Sequence, residues 1–263
     1  MSEKYIILQP SINTMTKHTI MVNNGYTKMK EKIALITGAN KGIGFGIAKN
    51  LGLTGWSIVV GARHQERAEK AMEELKMQGI DVLGWLNIEL GNIASIERAS
   101  VEAAEKYPGL SLLVNNAGIP GNMNVDAQHT ALAEIKECID VNFVGTFALT
   151  KSLLPLLEAN HGRIVNITVP SEISPYWHPL AYVASKAAQN AMMGVMAMEF
   201  QQGERPIEIF SVHPGPTTTD LNGNMCLPGF HDIDTVGRKT AELINDGTRH
   251  QGEFIELYPI VKE

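Results

Sequence analysis

From Lys32 onward the chain alternates short β-branched runs with longer stretches whose apolar residues recur at helical spacing. The short runs predict strands over Ile33–Thr37, Ser57–Val60, Val82–Leu86, Leu112–Val114, Arg163–Thr168, Ile207–Val212 and Phe254–Leu257. The longer stretches predict helices over Ile43–Leu53, Gln65–Met77, Ile93–Lys106, Leu132–Leu157 and Ala181–Gln202. Strands alternating with helices imply βαβ units, so the pattern predicts an α/β fold: one doubly wound domain with a seven-stranded parallel sheet. Residues 1–30 lie outside this rhythm, since Pro10 and scattered asparagines break any period. They are read as an N-terminal extension ahead of a domain over 31–263. Met29 stands where such a domain would begin, and a start codon placed too early is slightly preferred to a genuine arm. No internal repeat or low-complexity tract is present.

Composition adds limits. With 44% hydrophobic and 19% charged residues among 263, the chain can bury one large core. A formal charge of −6 argues against nucleic acid as a partner. No apolar run approaches the ~20 residues that span a bilayer. The patch Tyr5–Leu8 falls short of the ~7–15-residue apolar region of a signal peptide. A cytoplasmic chain with no membrane partner is therefore expected. Cys138 and Cys226 form no CxxC pair, and the eight histidines form no HExxH motif, so no metal site is expected.

Directly after the first strand stands Thr37-Gly38-Ala39-Asn40-Lys41-Gly42-Ile43-Gly44, followed at once by a helix. Glycines at 38, 42 and 44 let the backbone turn tightly and approach a pyrophosphate, whose charge the helix N-terminus favours. A glycine-rich turn without a ligand is the plain alternative, and the strand before it and helix after it favour binding of a dinucleotide. Such folds read the adenosine ribose at the end of the second strand, with an acid for NAD or an arginine for NADP. Here that strand ends in Gly61-Ala62-Arg63, with no acid, and Arg63 can pair a 2′-phosphate through its planar fork. Lys41 is placed to add a second positive charge, so NADP(H) is the expected cofactor. At Asn115-Asn116-Ala117-Gly118, small residues leave room for a cofactor, and asparagine amides can hold neighbouring strands.

Ala181-Tyr182-Val183-Ala184-Ser185-Lys186 opens a helix, and tyrosine and lysine four apart share one face. Adjacent positive charge, from Lys186 and an oxidised nicotinamide together, favours phenolate and would lower the tyrosine pKa from its usual ~10, fitting Tyr182 to exchange a proton with a carbonyl oxygen.

These motifs together resemble the short-chain dehydrogenase/reductase family, and within it the carbonyl-reductase-like members, over about Lys30–Leu257. The resemblance rests on the cofactor loop Thr37–Gly44, on Asn115–Gly118, on Asn142 in Val141-Asn142-Phe143, on Tyr182/Lys186, and on Pro214-Gly215 followed by Thr219. It implies a Rossmann-type fold, a Lys186 that also binds the nicotinamide ribose, and an Asn142 that holds a water in a proton relay. It further implies a cofactor lined by Asn116, Ala117, Gly118, Pro214 and Gly215, with Thr219 at the nicotinamide carboxamide. A homodimer or homotetramer built on the helices Leu132–Leu157 and Ala181–Gln202 is implied as well.

Two positions depart from the family pattern. Asn87 stands where an aspartate usually binds adenine, and its amide oxygen can still accept a hydrogen bond. Val169 stands where the catalytic serine is placed, thirteen before the tyrosine. Strand alternation turns Thr168 away and puts Ser171 on the side of Val169, making Ser171 the candidate substitute and Tyr176 a more distant one. Losing one oxyanion-type donor costs ~10²–10³ in turnover, so the chemistry can persist at a reduced rate. The expected function is reduction of a ketone, aldehyde or related small carbonyl compound by NADPH, with Tyr182 as acid. The alternative is an NADP(H)-binding sensor or scaffold whose catalysis faded with the serine.

Overall fold

In the computed structural model of the protein, residues 19–22, 25–28, 32–175 and 177–258 are described. The chain divides into two units, Met1–Glu31 and Lys32–Glu263. In the first, β1 (Thr19–Val22) pairs antiparallel with β2 (Gly25–Lys28); the sequence left this pairing unread.

The second unit is an α/β domain. Its strands are β3 (Ile33–Thr37), β4 (Ser57–Ala62), β5 (Val82–Asn87), β6 (Leu110–Asn115), β7 (Arg163–Ile167), β8 (Glu208–His213) and β9 (Phe254–Glu256). They form one seven-stranded sheet in the order β5-β4-β3-β6-β7-β8-β9, every neighbouring pair parallel. This is the doubly wound arrangement the alternating pattern predicts. The chain moves outward in one direction from β3 and in the other from β6. Their carboxyl ends thus flank the point where strand order reverses, which is where open α/β sheets bind ligands.

Strand residues alternate between two cores. Ile33, Leu35, Val59, Leu113, Ile164 and Ile209 pack on one face with α3 (Ile93–Lys106) and residues of the long helices described below. Ala34, Ile36, Ile58, Val60, Val114 and Phe210 pack on the other with α1 (Gly42–Leu53) and α2 (Gln65–Met77). Because both faces are covered, the strands read as continuous apolar runs.

Two helical predictions are corrected. The stretch read as one helix over Leu132–Leu157 is α4 (Leu132–Cys138), a π-helical segment Ile139–Gly145 and α5 (Thr146–Ala159). Apolar periodicity barely registers one extra residue per turn. The lack of a side chain at Gly145, which ends the π segment, allows close approach to the loop after β5: a Cβ there would stand 2.1 Å from the Leu90 carbonyl oxygen. After α6 (Leu180–Gln202) comes a helix absent from the predictions, α7 (Ile233–Ile244), capped by the Asp232 side chain accepting from Thr235 N at 2.9 Å. It packs directly on α1, where a Cβ on Gly46 would meet the Ile233 carbonyl oxygen at 2.2 Å.

Candidate active site

The loop between β3 and α1 is built as a cradle. Gly38 and Gly42 adopt φ of +68° and +59°, which L side chains rarely tolerate. A Cβ on Gly44 would stand 2.4 Å from Asn116 Nδ2 and 2.6 Å from the Gly38 carbonyl oxygen. At Gly42 an added Cβ would meet only Thr219 Cγ2, 3.9 Å away. Lys41, the N-cap residue just before α1, supplies no side-chain cap, so the leading backbone N–H groups of the helix remain for an anion. The loop is clamped to its neighbours. Gly38 N donates to Gly61 O at 2.7 Å, Asn116 Nδ2 to Thr37 O at 2.9 Å, and Ala117 N to Thr37 Oγ1 at 3.0 Å. These residues fit a dinucleotide pyrophosphate.

At the adenosine end, Arg63 directly follows β4 and is exposed, its Nε donating to His64 Nε2 at 3.0 Å. Asn87 Nδ2 donates to the Arg63 carbonyl at 3.1 Å, while Asn87 Oδ1 accepts from Ser95 Oγ at 3.1 Å. Asn87 therefore braces the end of β4 against the start of α3. Lys41 lies in an ion pair with Asp220, 2.7 Å away, which bridges the phosphate loop to the segment after β8. Hydrogen bonds from Lys41 and Asn224 hold the Asp220 carboxyl below its usual range, and Arg67 adds a weaker field. Arg67, in the first turn of α2, is thus a third cation of this end. The sequence reading missed it, although its spacing of four from Arg63 was visible.

On the other side of the switch point, the chemistry-bearing residues converge on α6. Lys186 is 2% exposed, and its Nζ donates to Ile167 O at 2.8 Å and Gln189 Oε1 at 3.0 Å. Asn142, in the π-helical segment, is wholly buried. Its amide donates to Ile119 O at 2.8 Å and Ser185 Oγ at 2.9 Å, while its oxygen accepts from Ile119 N at 2.8 Å. Ser185 passes this contact to the Tyr182 carbonyl at 2.7 Å. With its side chain fully engaged, Asn142 acts as a joint between α6 and the Gly118–Ile119 turn. A Cβ on Gly118 would stand 2.9 Å from Asn142 Oδ1 and 3.9 Å from Lys186 Nζ, so these three predicted residues do meet.

Tyr182 is 8% exposed, its ring edge-on to Trp177 at 5.4 Å and 5.8 Å from Lys186 Nζ. Its hydroxyl has no hydrogen-bond partner among the described residues. In the protein alone, without the nicotinamide charge on which the expected lowering also rests, burial, with a smaller push from Cys138, drives its pKa well above the ordinary tyrosine range. Burial also brings Lys186 down to about 8. The ring and the ammonium are both dry, and desolvation outweighs their attraction. In the protein alone Tyr182 is a protonated donor.

Ser171, the candidate substitute for the missing serine, is exposed and held elsewhere. Asn190 Nδ2 donates to its hydroxyl at 3.1 Å and to Val169 O at 2.9 Å, clamping the end of β7 to α6. Asn190 lies eight residues along α6 from Tyr182, about 12 Å of helix rise, so Ser171 is tied to the wrong turn. The Thr168 hydroxyl is buried without a partner, and Tyr176 lies outside the described residues. Gly215 follows buried Pro214 with φ of +73°, and Thr219 caps the 3₁₀ turn Asp220–Asn222 opposite Gly42. Among the described residues no group of three or more His, Cys, Asp or Glu could hold a metal ion, and no helix is long and apolar enough to cross a membrane.

A seven-stranded parallel sheet with a glycine cradle at its switch point, facing a Tyr–Lys pair on the next long helix, defines a dinucleotide-binding oxidoreductase fold. The short-chain dehydrogenase family model matches residues 32–226, and the chain belongs to that family, whose members bind a nicotinamide cofactor. Among characterised relatives, estradiol 17-beta-dehydrogenase 2 of Mus musculus is 30% identical over 196 residues, covering 74% of this chain and 50% of that protein. The chain thus spans half the length of that relative. The NADPH carbonyl reductase 1 of Mus musculus is 38% identical over 138 residues, 52% of this chain and 48% of that protein. Among solved structures, an alcohol dehydrogenase from Thermococcus sibiricus complexed with 5-hydroxy-NADP superposes with a TM-score of 0.76 at 27% identity, covering 89% of this chain and 98% of that one. A 3-oxoacyl-(acyl-carrier protein) reductase from Brucella melitensis in complex with NAD gives 0.76 at 25% identity, covering 88% and 96%.

Proposed function

We propose that the protein reduces a ketone, aldehyde or related small carbonyl compound with NADPH. The observation that carries this reading is the Tyr182 hydroxyl, on a side chain only 8% exposed and without a hydrogen-bond partner among the described residues, beside a lysine that shares its helix face. Bound NADPH supplies the hydride. Tyr182 donates the proton to the substrate oxygen, and Lys186 holds the ribose and places positive charge beside the phenol. Asn142 fixes the distance between α6 and the Gly118 turn. Arg63, Arg67 and Lys41 favour a 2′-phosphate, for which Lys41 exchanges its exposed partner Asp220 at little cost. Trp177 against the Tyr182 ring gives the substrate an apolar wall.

A sensor or scaffold that binds NADP(H) without chemistry is the second reading, favoured only by Val169. Measuring NADPH oxidation across a panel of carbonyl compounds separates the two: turnover supports the reductase, and tight binding without turnover on any compound supports the sensor. Replacing Val169→Ser is expected to raise turnover on a generic ketone by about 10-fold, part of the ~10²–10³ that one such donor supplies. An unchanged rate would show that position 169 does not face the substrate oxygen.

We also propose self-association through α5, the π segment before it, and α6. Val144 and Phe147 are exposed on one, Val195 and Met198 on the other, and each pair is spaced three apart on its helix. Sedimentation velocity is expected to give a dimer or tetramer that Phe147→Glu weakens; a monomeric wild-type protein would refute this.

A further inference from the structure

Gln189 lies on α6 just short of one turn beyond Lys186 and is 1% exposed. Nothing in the motif calls for an amide there, since a residue buried among apolar side chains is normally apolar itself. Its oxygen accepts from Lys186 Nζ at 3.0 Å, and Ile167 O accepts from the same nitrogen at 2.8 Å. An ammonium has three N–H donors. With two of them fixed to acceptors, the direction of the third is fixed as well.

We infer that Gln189 is a positioning residue: it fixes the rotation of the Lys186 ammonium so that one N–H is presented to the cofactor ribose, and its amide oxygen keeps that nitrogen charged. The inference rests on the proposed role of Lys186 toward the ribose. The charge needs such help because the site is dry. Burial is the one resolved influence on Lys186, bringing it to about 8; Tyr182 on the same helix is the nearby titratable group, with Cys138 of α4 beyond it. No carboxylate contributes from β7, α4 or the π-helical segment. Two carbonyl oxygens are therefore what stabilises the ammonium, and removing one should favour the neutral amine.

The test follows Lys186 directly, by NMR titration of its side-chain carbon signals in lysine-labelled protein without cofactor, the resonance being assigned by its loss in Lys186→Met. In Gln189→Leu the midpoint is expected to fall by about one unit from that of the wild type, because a hydrogen bond to a charged group is lost. In Gln189→Glu it is expected to rise. NADPH binding by fluorescence should follow the same logic. Lys186 is charged below its midpoint and neutral above it, so the Leu variant should bind about 5-fold more weakly near the wild-type midpoint and approach wild type about two units lower, where both lysines are charged. A folded Leu variant with an unmoved midpoint, or one whose loss of affinity is the same at every pH, would overturn the inference. If the Leu variant does not fold, an unraised midpoint in Gln189→Glu would overturn it. Failure of the protein to turn over any carbonyl compound would instead refute the reductase reading and leave the titration result standing.

Discussion

Tyr182→Phe is expected to lower carbonyl reduction by ~10²–10⁴, the contribution of a positioned general acid, while NADPH binding stays within about 2-fold. The variant removes one oxygen and leaves the ring edge-on to Trp177. The deleted hydroxyl has no hydrogen-bond partner among the described residues, so no buried acceptor is stranded and thermal stability should not fall. Steady-state kinetics together with a fluorescence titration check both halves. The direction of reaction matters here. Burial holds Tyr182 protonated, as proton donation to a carbonyl requires. Alcohol oxidation needs the phenolate, and the burial that suits donation opposes it. A Phe variant that keeps most of its activity would remove Tyr182 from the chemistry.

The second large effect concerns cofactor choice. Arg63→Ala combined with Arg67→Ala is expected to weaken NADPH by ~10–100-fold, because charge-assisted hydrogen bonds to a phosphate contribute about 1.5–3 kcal/mol each before solvent screening. NADH, which lacks that phosphate, should change by no more than about 2-fold. The two guanidinium groups stand at the end of β4 and in the first turn of α2, where the ribose of a dinucleotide is read. Lys41 is the weaker member while it pairs with Asp220, so Asp220→Asn should tighten NADPH rather than loosen it. Parallel Kd measurements with NADPH and NADH decide the matter, and equal weakening of both would exclude a 2′-phosphate contact.

Much of this was legible in the residues because parallel sheets write their strands plainly. Val59, Val114 and Ile164 lie in runs buried on both faces, which read as unbroken apolar stretches. The glycine cradle was equally open, since only glycine supports φ of +68° at Gly38 without strain. What escaped depends on tertiary contact. The α7 stripe of Val236, Ala241 and Ile244 carries a normal helical period, but the sequence reading assigns the stretch no element. The π segment is one extra residue per turn, a change smaller than the noise in an apolar pattern. Ser171 shared strand parity with Val169, yet the chain leaves the strand at Ile167 and parity no longer applies. Lys186 and Tyr182 were found by spacing, whereas Gln189 and Ser185 show their purpose only when their partners are seen. The burial that raises Tyr182 in the protein alone escaped for the same reason: proximity of charge is written in the sequence, and dryness is not.

The measurement that bears most directly on the central claim is transfer of deuterium from NADPH, labelled at the transferable position of its nicotinamide, to an alcohol product. With a carbonyl substrate found in the panel, mass spectrometry of the product should show one deuterium on the new carbinol carbon for the wild type and a rate reduced by ~10² or more for Tyr182→Phe. Tight NADPH binding with no deuterium in any product, or full transfer without the Tyr182 hydroxyl, would contradict the account.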